Sequence, residues 1–137
     1  MLLDTCAVIW LANGDTLAAL ATEAIFAAAR ADGILVSPVS AWEIGLLSRP
    51  GARSSVLQFL PNPKAWFHRL MARPGIKAAP FTSEIAINAS FLPGDLHGDP
   101  ADRFIIATAR HLGIPVVTRD RRIVAYAAAG NLELIAC

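Results

Sequence analysis

The sequence predicts an α/β fold built on a short parallel sheet with helices on both faces. Two observations predict it. Short apolar segments alternate with helical stretches along the whole chain, and three of those stretches open on a capping residue followed by proline, at Ser37-Pro38, Asn62-Pro63 and Asp99-Pro100. The apolar segments also lack polar alternation, as strands do when helices bury both faces of a parallel sheet. With 137 residues, the chain has the length of one domain, enough to enclose a core without disulfide or metal staples.

Taken in order, Met1–Leu3 is an apolar strand that stops at Asp4, and Thr5 opens a helical run to Asn13-Gly14. Thr16 is placed to cap a second helix through Ala31, with Leu17, Leu20, Ala24 and Ala28 along one face. Asp32-Gly33 breaks it, and Ile34–Val36 reads as a buried strand. The Ser37-Pro38 helix carries Trp42, Glu43, Ile44 and Leu47. The Asn62-Pro63 helix carries Trp66, Phe67, Leu70 and Met71 and closes before Pro74-Gly75. Ile76–Ala79 is a strand, Thr82 caps a helix to about Phe91, and residues 92–98 form a loop. The Asp99-Pro100 helix runs to Gly113, followed by the strand Pro115–Thr118, a helix over Arg121–Ala129 and a last strand over Leu132–Ile135.

Composition narrows the class. Twelve basic and eleven acidic side chains leave a net charge of +1, and the mean hydropathy is +0.48. Alanine supplies 26 residues, so much of that hydropathy is helix-forming filler. The longest apolar run, Cys6–Ala12, is seven residues, far short of a membrane span. The N-terminal residues lack the basic start of an export signal, so a cytoplasmic protein with reduced Cys6 and Cys137 is expected. No paired cysteine or histidine spacing suggests structural zinc. Charge is unevenly placed: Ile44–Ser83 has no acid and holds Arg49, Arg53, Lys64, Arg69, Arg73 and Lys77, whereas Glu84, Asp95, Asp99 and Asp102 follow with no lysine or arginine between them. That order suits a polyanion handled beside an acidic centre.

Four acids stand where the chemistry of such a sheet belongs, beyond the carboxyl ends of its strands. Asp4 and Asp120 follow strands; Glu43 and Asp102 lie near the starts of helices that strands or loops feed. Each has an ordinary reading as a cap, a turn residue or a solvated helix residue. Asp4 and Glu43, however, are embedded among apolar neighbours, where an isolated carboxylate is costly. Carboxylates ~5 Å apart repel by about 3 kcal/mol per pair at an effective dielectric of ~20. A divalent cation would offset that repulsion. All-oxygen ligation suits Mg²⁺ or Mn²⁺, and such ions bind substrate phosphates, so phosphodiester hydrolysis is the natural chemistry.

The sequence resembles a known family through an ordered set of segments. These are Leu3-Asp4-Thr5 with Trp10-Leu11, Ser40-Ala41-Trp42-Glu43-Ile44, the block His97-Gly98-Asp99-Pro100-Ala101-Asp102-Arg103 with Phe104 to Ala109, and Thr118-Arg119-Asp120. Together they look like the PIN domain, and within it the VapC ribonuclease toxins of prokaryotic type II toxin–antitoxin systems. The resemblance spans the chain and implies one PIN-like domain over residues 1–137, an α/β/α sandwich. It implies a Mg²⁺- or Mn²⁺-dependent endoribonuclease, a homodimer, and a VapB-like antitoxin partner that blocks the site. Asp4, Glu43, Asp102 and Asp120 match the acidic quartet that would be catalytic and hold the metal. Thr118 matches the hydroxyl residue that supports the last acid, and Asp99 matches the first acid of the Asp-Pro-x-Asp-Arg block, a cap or supporting group. The expected reaction is in-line attack by water on an RNA phosphodiester, leaving 5′-phosphate and 3′-hydroxyl ends; no histidine pair is placed for a metal-free 2′-hydroxyl route.

Two departures are visible. Gly45-Leu46-Leu47 replaces the family's frequent Ala-Ile-Lys, and Arg49-Pro50-Gly51-Ala52-Arg53 replaces a lysine-rich stretch. The acids are untouched, and Arg49 and Arg53 become the candidates for phosphate contact. His97 is placed to border the site, while His68 and His111 read as helix-surface residues. Leu17, Leu20, Phe26 and Val56–Leu60 are candidates for apolar contact with a second copy or an antitoxin. A catalytically silent interaction module with the same sheet is the alternative, distinguished by whether the acids bind a divalent cation. An aspartyl-phosphate enzyme fits poorly: the first strand leads into Asp4-Thr5-Cys6 without a second acid, and the last lysine is Lys77.

Overall fold

A computed structural model describes residues 1–50, 57–96 and 98–137. Five parallel strands form one sheet in the order β3-β2-β1-β4-β5: β1 (Leu2–Leu3), β2 (Ile34–Val36), β3 (Ile76–Ala78), β4 (Val116–Thr118) and β5 (Leu134–Ala136). Leu2 and Leu3 pair with Leu35 and Val36 on one side and with Val116 and Val117 on the other. All strand ends therefore share one edge. Among the described residues seven helices connect them: α1 (Thr5–Asn13), α2 (Ala19–Arg30), α3 (Pro38–Leu47), α4 (Pro63–Met71), α5 (Ser83–Asn88), α6 (Pro100–Leu112) and α7 (Arg121–Ala128).

Successive strand residues point to opposite faces, and the core divides accordingly. Leu3, Val36 and Val117 pack with Ala7, Val8, Ile25, Ile44 and Leu70 from α1–α4. Leu2 and Val116 pack with Ile105 and Ala109 of α6, and Ile106 of α6 meets Ile123 and Tyr126 of α7. The result is the expected three-layer α/β/α arrangement. Among the described residues no helix is long and apolar enough to cross a membrane.

The cap–proline signatures are realised. Ser37 accepts from the Val39 N–H, Asn62 from Ala65 and Asp99 from Ala101, each ahead of a proline in the first turn. Two boundaries differ from the sequence reading. The second helix starts at Ala19 rather than behind Thr16, and Ala18 precedes it without a side-chain cap. Tertiary anchoring explains this: the Thr16 carbonyl accepts from Arg119 and Leu17 packs against the core, so this stretch spans a gap instead of coiling. The buried face of α2 is consequently Ala21 and Ile25, and Leu20 is 77% exposed. The last strand is Leu134–Ala136 because Leu132 is drawn in among the side chains of α6 and α7. The run to Phe91 is α5 followed by a 3-10 turn, Ala89–Phe91.

Gly75 aligns β3: its carbonyl accepts from the Ile34 N–H at 2.7 Å. Its φ is +80°, and a Cβ there would lie 2.6 Å from the Ala29 carbonyl oxygen, whereas Gly14, with φ +78°, has open space around it. Gly75→Ala should therefore cost well above the ~1 kcal/mol of left-handed strain expected for Gly14→Ala. Thermal melts of the two variants check this; equal losses would refute it.

Candidate active site

Four of the acids stand at helix starts. Asp4 ends β1 and caps α1, its Oδ1 accepting from the Ala7 N–H at 2.6 Å. Asp120 ends the β4 segment and caps α7 through the N–H groups of Arg122 and Ile123. Asp99 caps α6 and Asp102 lies in its first turn. Glu43 comes from the second turn of α3. Because all the strands are parallel, the starts of α1, α3 and α7 meet at the carboxyl edge, and α6 packs against α3 beside them.

Electrostatics show the convergence. Asp102 is pushed up to about 7, first by burial and then by the charges of Asp99, Asp120, Glu43 and Asp4. Glu43 is raised by burial, with Asp99 and Asp4 adding to the rise and the Thr5 hydrogen bond opposing it. Asp4, only 4% exposed, is raised by burial against its hydrogen bonds to Thr118 and Ala7. Cys6 faces the same acids: the residue is exposed, yet its thiol is pushed up to about 12 by desolvation and by Asp4, Glu43, Asp102 and Asp120. It therefore stays a neutral thiol at neutral pH.

Hydroxyls hold these carboxylates. Thr118 donates to Asp4 Oδ2 and accepts from the Asp120 N–H at 2.9 Å. Its side chain thus supports the first acid directly and the last through the backbone. Thr5 donates to Glu43 Oε2, and Ser40 Oγ lies 3.0 Å from Thr5 Oγ1. Neither Thr5 nor Ser40 was expected to matter from sequence, although Ser40 and Glu43, three apart on a helix, share a face. Arg119 was also missed; it stacks 3.8 Å over the Trp10 ring and lowers Asp4 slightly against the burial. Arg103 donates to the carbonyls of Ala89, Ser90 and Leu96, so it ties α6 to the preceding segment.

Other expected residues lie elsewhere. Arg49 follows the far end of α3, six residues and roughly 9 Å of helical rise beyond Glu43. Arg53, His97 and Val56 lie outside the described residues. His68 and His111 are exposed in the last turns of α4 and α6, near the opposite edge of the sheet. Arg69, Arg73 and Lys77 of the basic stretch donate to backbone carbonyls of Leu60, Ala12 and Asp32. Of the apolar candidates, Leu20, Phe26 and Leu60 are exposed, whereas Leu17 packs against the core and Phe59 is buried, stacked edge-on against Trp66. Trp42, Phe81, Ile87 and Phe91 are further exposed apolar side chains.

The donor set fits a hard divalent cation. It is all carboxylate oxygen, and burial with neighbouring charge disfavours the ionised forms of Asp4, Glu43 and Asp102, a cost that a bound cation would offset. Among the described residues no three His, Cys, Asp or Glu side chains already stand where they could hold a metal ion together.

The raised Asp102 has a consequence for stability. Its folded-state value lies above the usual 3.8, so protonation favours the native state, and stability is lost as pH rises through about 7. In EDTA, the melting temperature of Asp102→Asn should gain on the wild type as pH goes from 5 to 8. A difference that does not change with pH would refute the shift.

The fold and the sequence both have counterparts among known proteins. A family model for the PIN domain matches residues 1–129. The chain is 33% identical over 114 residues to Ribonuclease VapC22 of Mycobacterium tuberculosis (strain ATCC 25618 / H37Rv), covering 83% of this chain and 81% of that protein. Among solved structures, VapBC2 from Rickettsia felis bound to a promoter DNA fragment aligns with a TM-score of 0.68 at 13% identity, over 98% of this chain and 96% of that one. FitAcB from Neisseria gonorrhoeae aligns with a TM-score of 0.55 at 19% identity, over 98% and 95%. This chain belongs to the PIN domain family.

Proposed function

We propose that this chain is an endoribonuclease of the VapC type, the toxin half of a toxin–antitoxin pair, and that Mg²⁺ or Mn²⁺ serves its acidic site. One observation carries the reading: acids from four separate segments meet at the carboxyl edge, and their mutual repulsion helps push Asp102 up to about 7. Proteins keep such a costly arrangement at functional sites. The similarity to a protein named as a ribonuclease points the same way.

Asp4, Glu43, Asp102 and Asp120 would hold the cation, with Asp99 supporting from the α6 cap. The bound cation supplies Lewis acidity at the scissile phosphate and lowers the pKa of an attacking water. Asp4 is kept in one orientation by the Ala7 N–H and Thr118. Asp120, fixed by its cap bonds, would complete the cage or help orient the nucleophile. Asp102, pushed up to about 7 by burial and its acidic neighbours, would give up its proton to hold a cation, so cation binding should strengthen as pH rises through about 7. Arg49 is assigned a phosphate further along the RNA, not the reacting one. The exposed Leu20, Phe26 and Leu60, with Trp42, Phe81, Ile87 and Phe91, offer apolar surface for an antitoxin and a second copy.

Purified, antitoxin-free protein should cut structured RNA with Mn²⁺, leave it intact in EDTA, and lose activity roughly 100-fold or more in Asp102→Asn. Products should carry 5′-phosphate. Cutting that persists in EDTA or in the variant would refute the proposal. Silence of both proteins, with no thermal shift on adding Mn²⁺, would leave the silent interaction module as the reading.

A further inference from the structure

We infer that Thr5 is a positioning residue for Glu43, acting through a buried hydroxyl chain that starts at Ser40. The inference rests on the divalent-cation reading above and adds a residue to it. Glu43 has the longest side chain of the acids and, unlike Asp4, Asp99 and Asp120, no backbone N–H among the hydrogen bonds described for it; its described bond is to Thr5. Left alone, a half-buried glutamate samples several rotamers, and each must be given up on ligation. Thr5 removes that freedom in advance.

The geometry sets the direction of the chain. Thr5 Oγ1 contacts both Glu43 Oε2 and Ser40 Oγ, but a hydroxyl has one proton. An ionised carboxylate only accepts, so Thr5 donates to Glu43, and Ser40 donates to Thr5. Ser40 is fully buried and Thr5 nearly so; water does not compete for the bond between them, and each bond polarises the next. Ser40 stands one turn before Glu43 on α3, while Thr5 follows Asp4 at the β1–α1 junction. The chain therefore locks the Asp4 element to the Glu43 element. Thr118 does the same between Asp4 and the backbone of Asp120. Ligand binding measured apart from folding distinguishes this role from that of a core hydroxyl.

Mn²⁺ binding to the purified chain, followed by electron paramagnetic resonance, separates the two. Thr5→Val keeps the shape and removes the donor; thermal unfolding in EDTA establishes whether it folds. Expected is Mn²⁺ binding weakened about 10-fold or more, with Thr5→Ser within about threefold of wild type. RNA turnover should lose kcat while KM for RNA holds. Wild-type Mn²⁺ affinity in a folded Thr5→Val, or Thr5→Ser as weak as Thr5→Val, overturns the role of Thr5 alone. No Mn²⁺ binding by the wild type overturns the cation reading and this inference with it. Where Thr5→Val does not fold, Ser40→Ala decides: a loss of about threefold supports the chain, and unchanged binding overturns it.

Discussion

Asp4 is the group on which the rest of the structure depends. It is a carboxyl held at 4% exposure, between the central strand of the sheet and the first helix. Burial of a charge there is unfavourable, and the fold answers with a backbone N–H on one oxygen and a threonine hydroxyl on the other. Those two bonds connect β1, α1 and β4. The sheet register that sets Leu3 beside Val117 brings Thr118 within reach of Asp4.

The same economy recurs at the other acids. Asp99 and Asp120 each satisfy helix N–H groups, so the ordinary capping reading of these residues is correct. It is also incomplete. A cap stands at the positive end of its helix, where a negative charge is favoured, and in a parallel sheet those ends gather on one edge. Capping thus places carboxylates side by side with stabilisation from each helix, while burial first and mutual repulsion second raise Asp102 and Glu43. Helix ends supply the placement, and the repulsion is a cost that a bound cation would offset.

Hydrophobic packing leaves that edge undisturbed. The two cores lie above and below the sheet, filled by Leu2, Leu3, Val116 and Val117 and by the helices on either side. A concavity of about 450 Å³ lined by Arg110, Gly113 and Asn131 opens near the ends of α6 and α7, away from the site acids. Basic side chains that looked free in the sequence, Arg69, Arg73 and Lys77, are spent on backbone carbonyls. They still bear charge, but their position serves the fold.

Much was legible in the residues alone because the signals are local. Proline after a capping side chain, glycine after a helix and unbroken apolar triplets each act through the nearest few residues. They determined the seven helices, the five strands and the acidic positions. What required the tertiary structure was any pairing between distant segments. The shortened start of α2 came from Arg119, 103 residues away from Thr16 in sequence, and the displaced β5 came from the pull of Leu132 inward. Thr5 reads as an ordinary residue after Asp4 until the fold lays Glu43 against it. Local chemistry decides which residues cap and which strands form; only close approach in three dimensions decides which oxygen receives which proton.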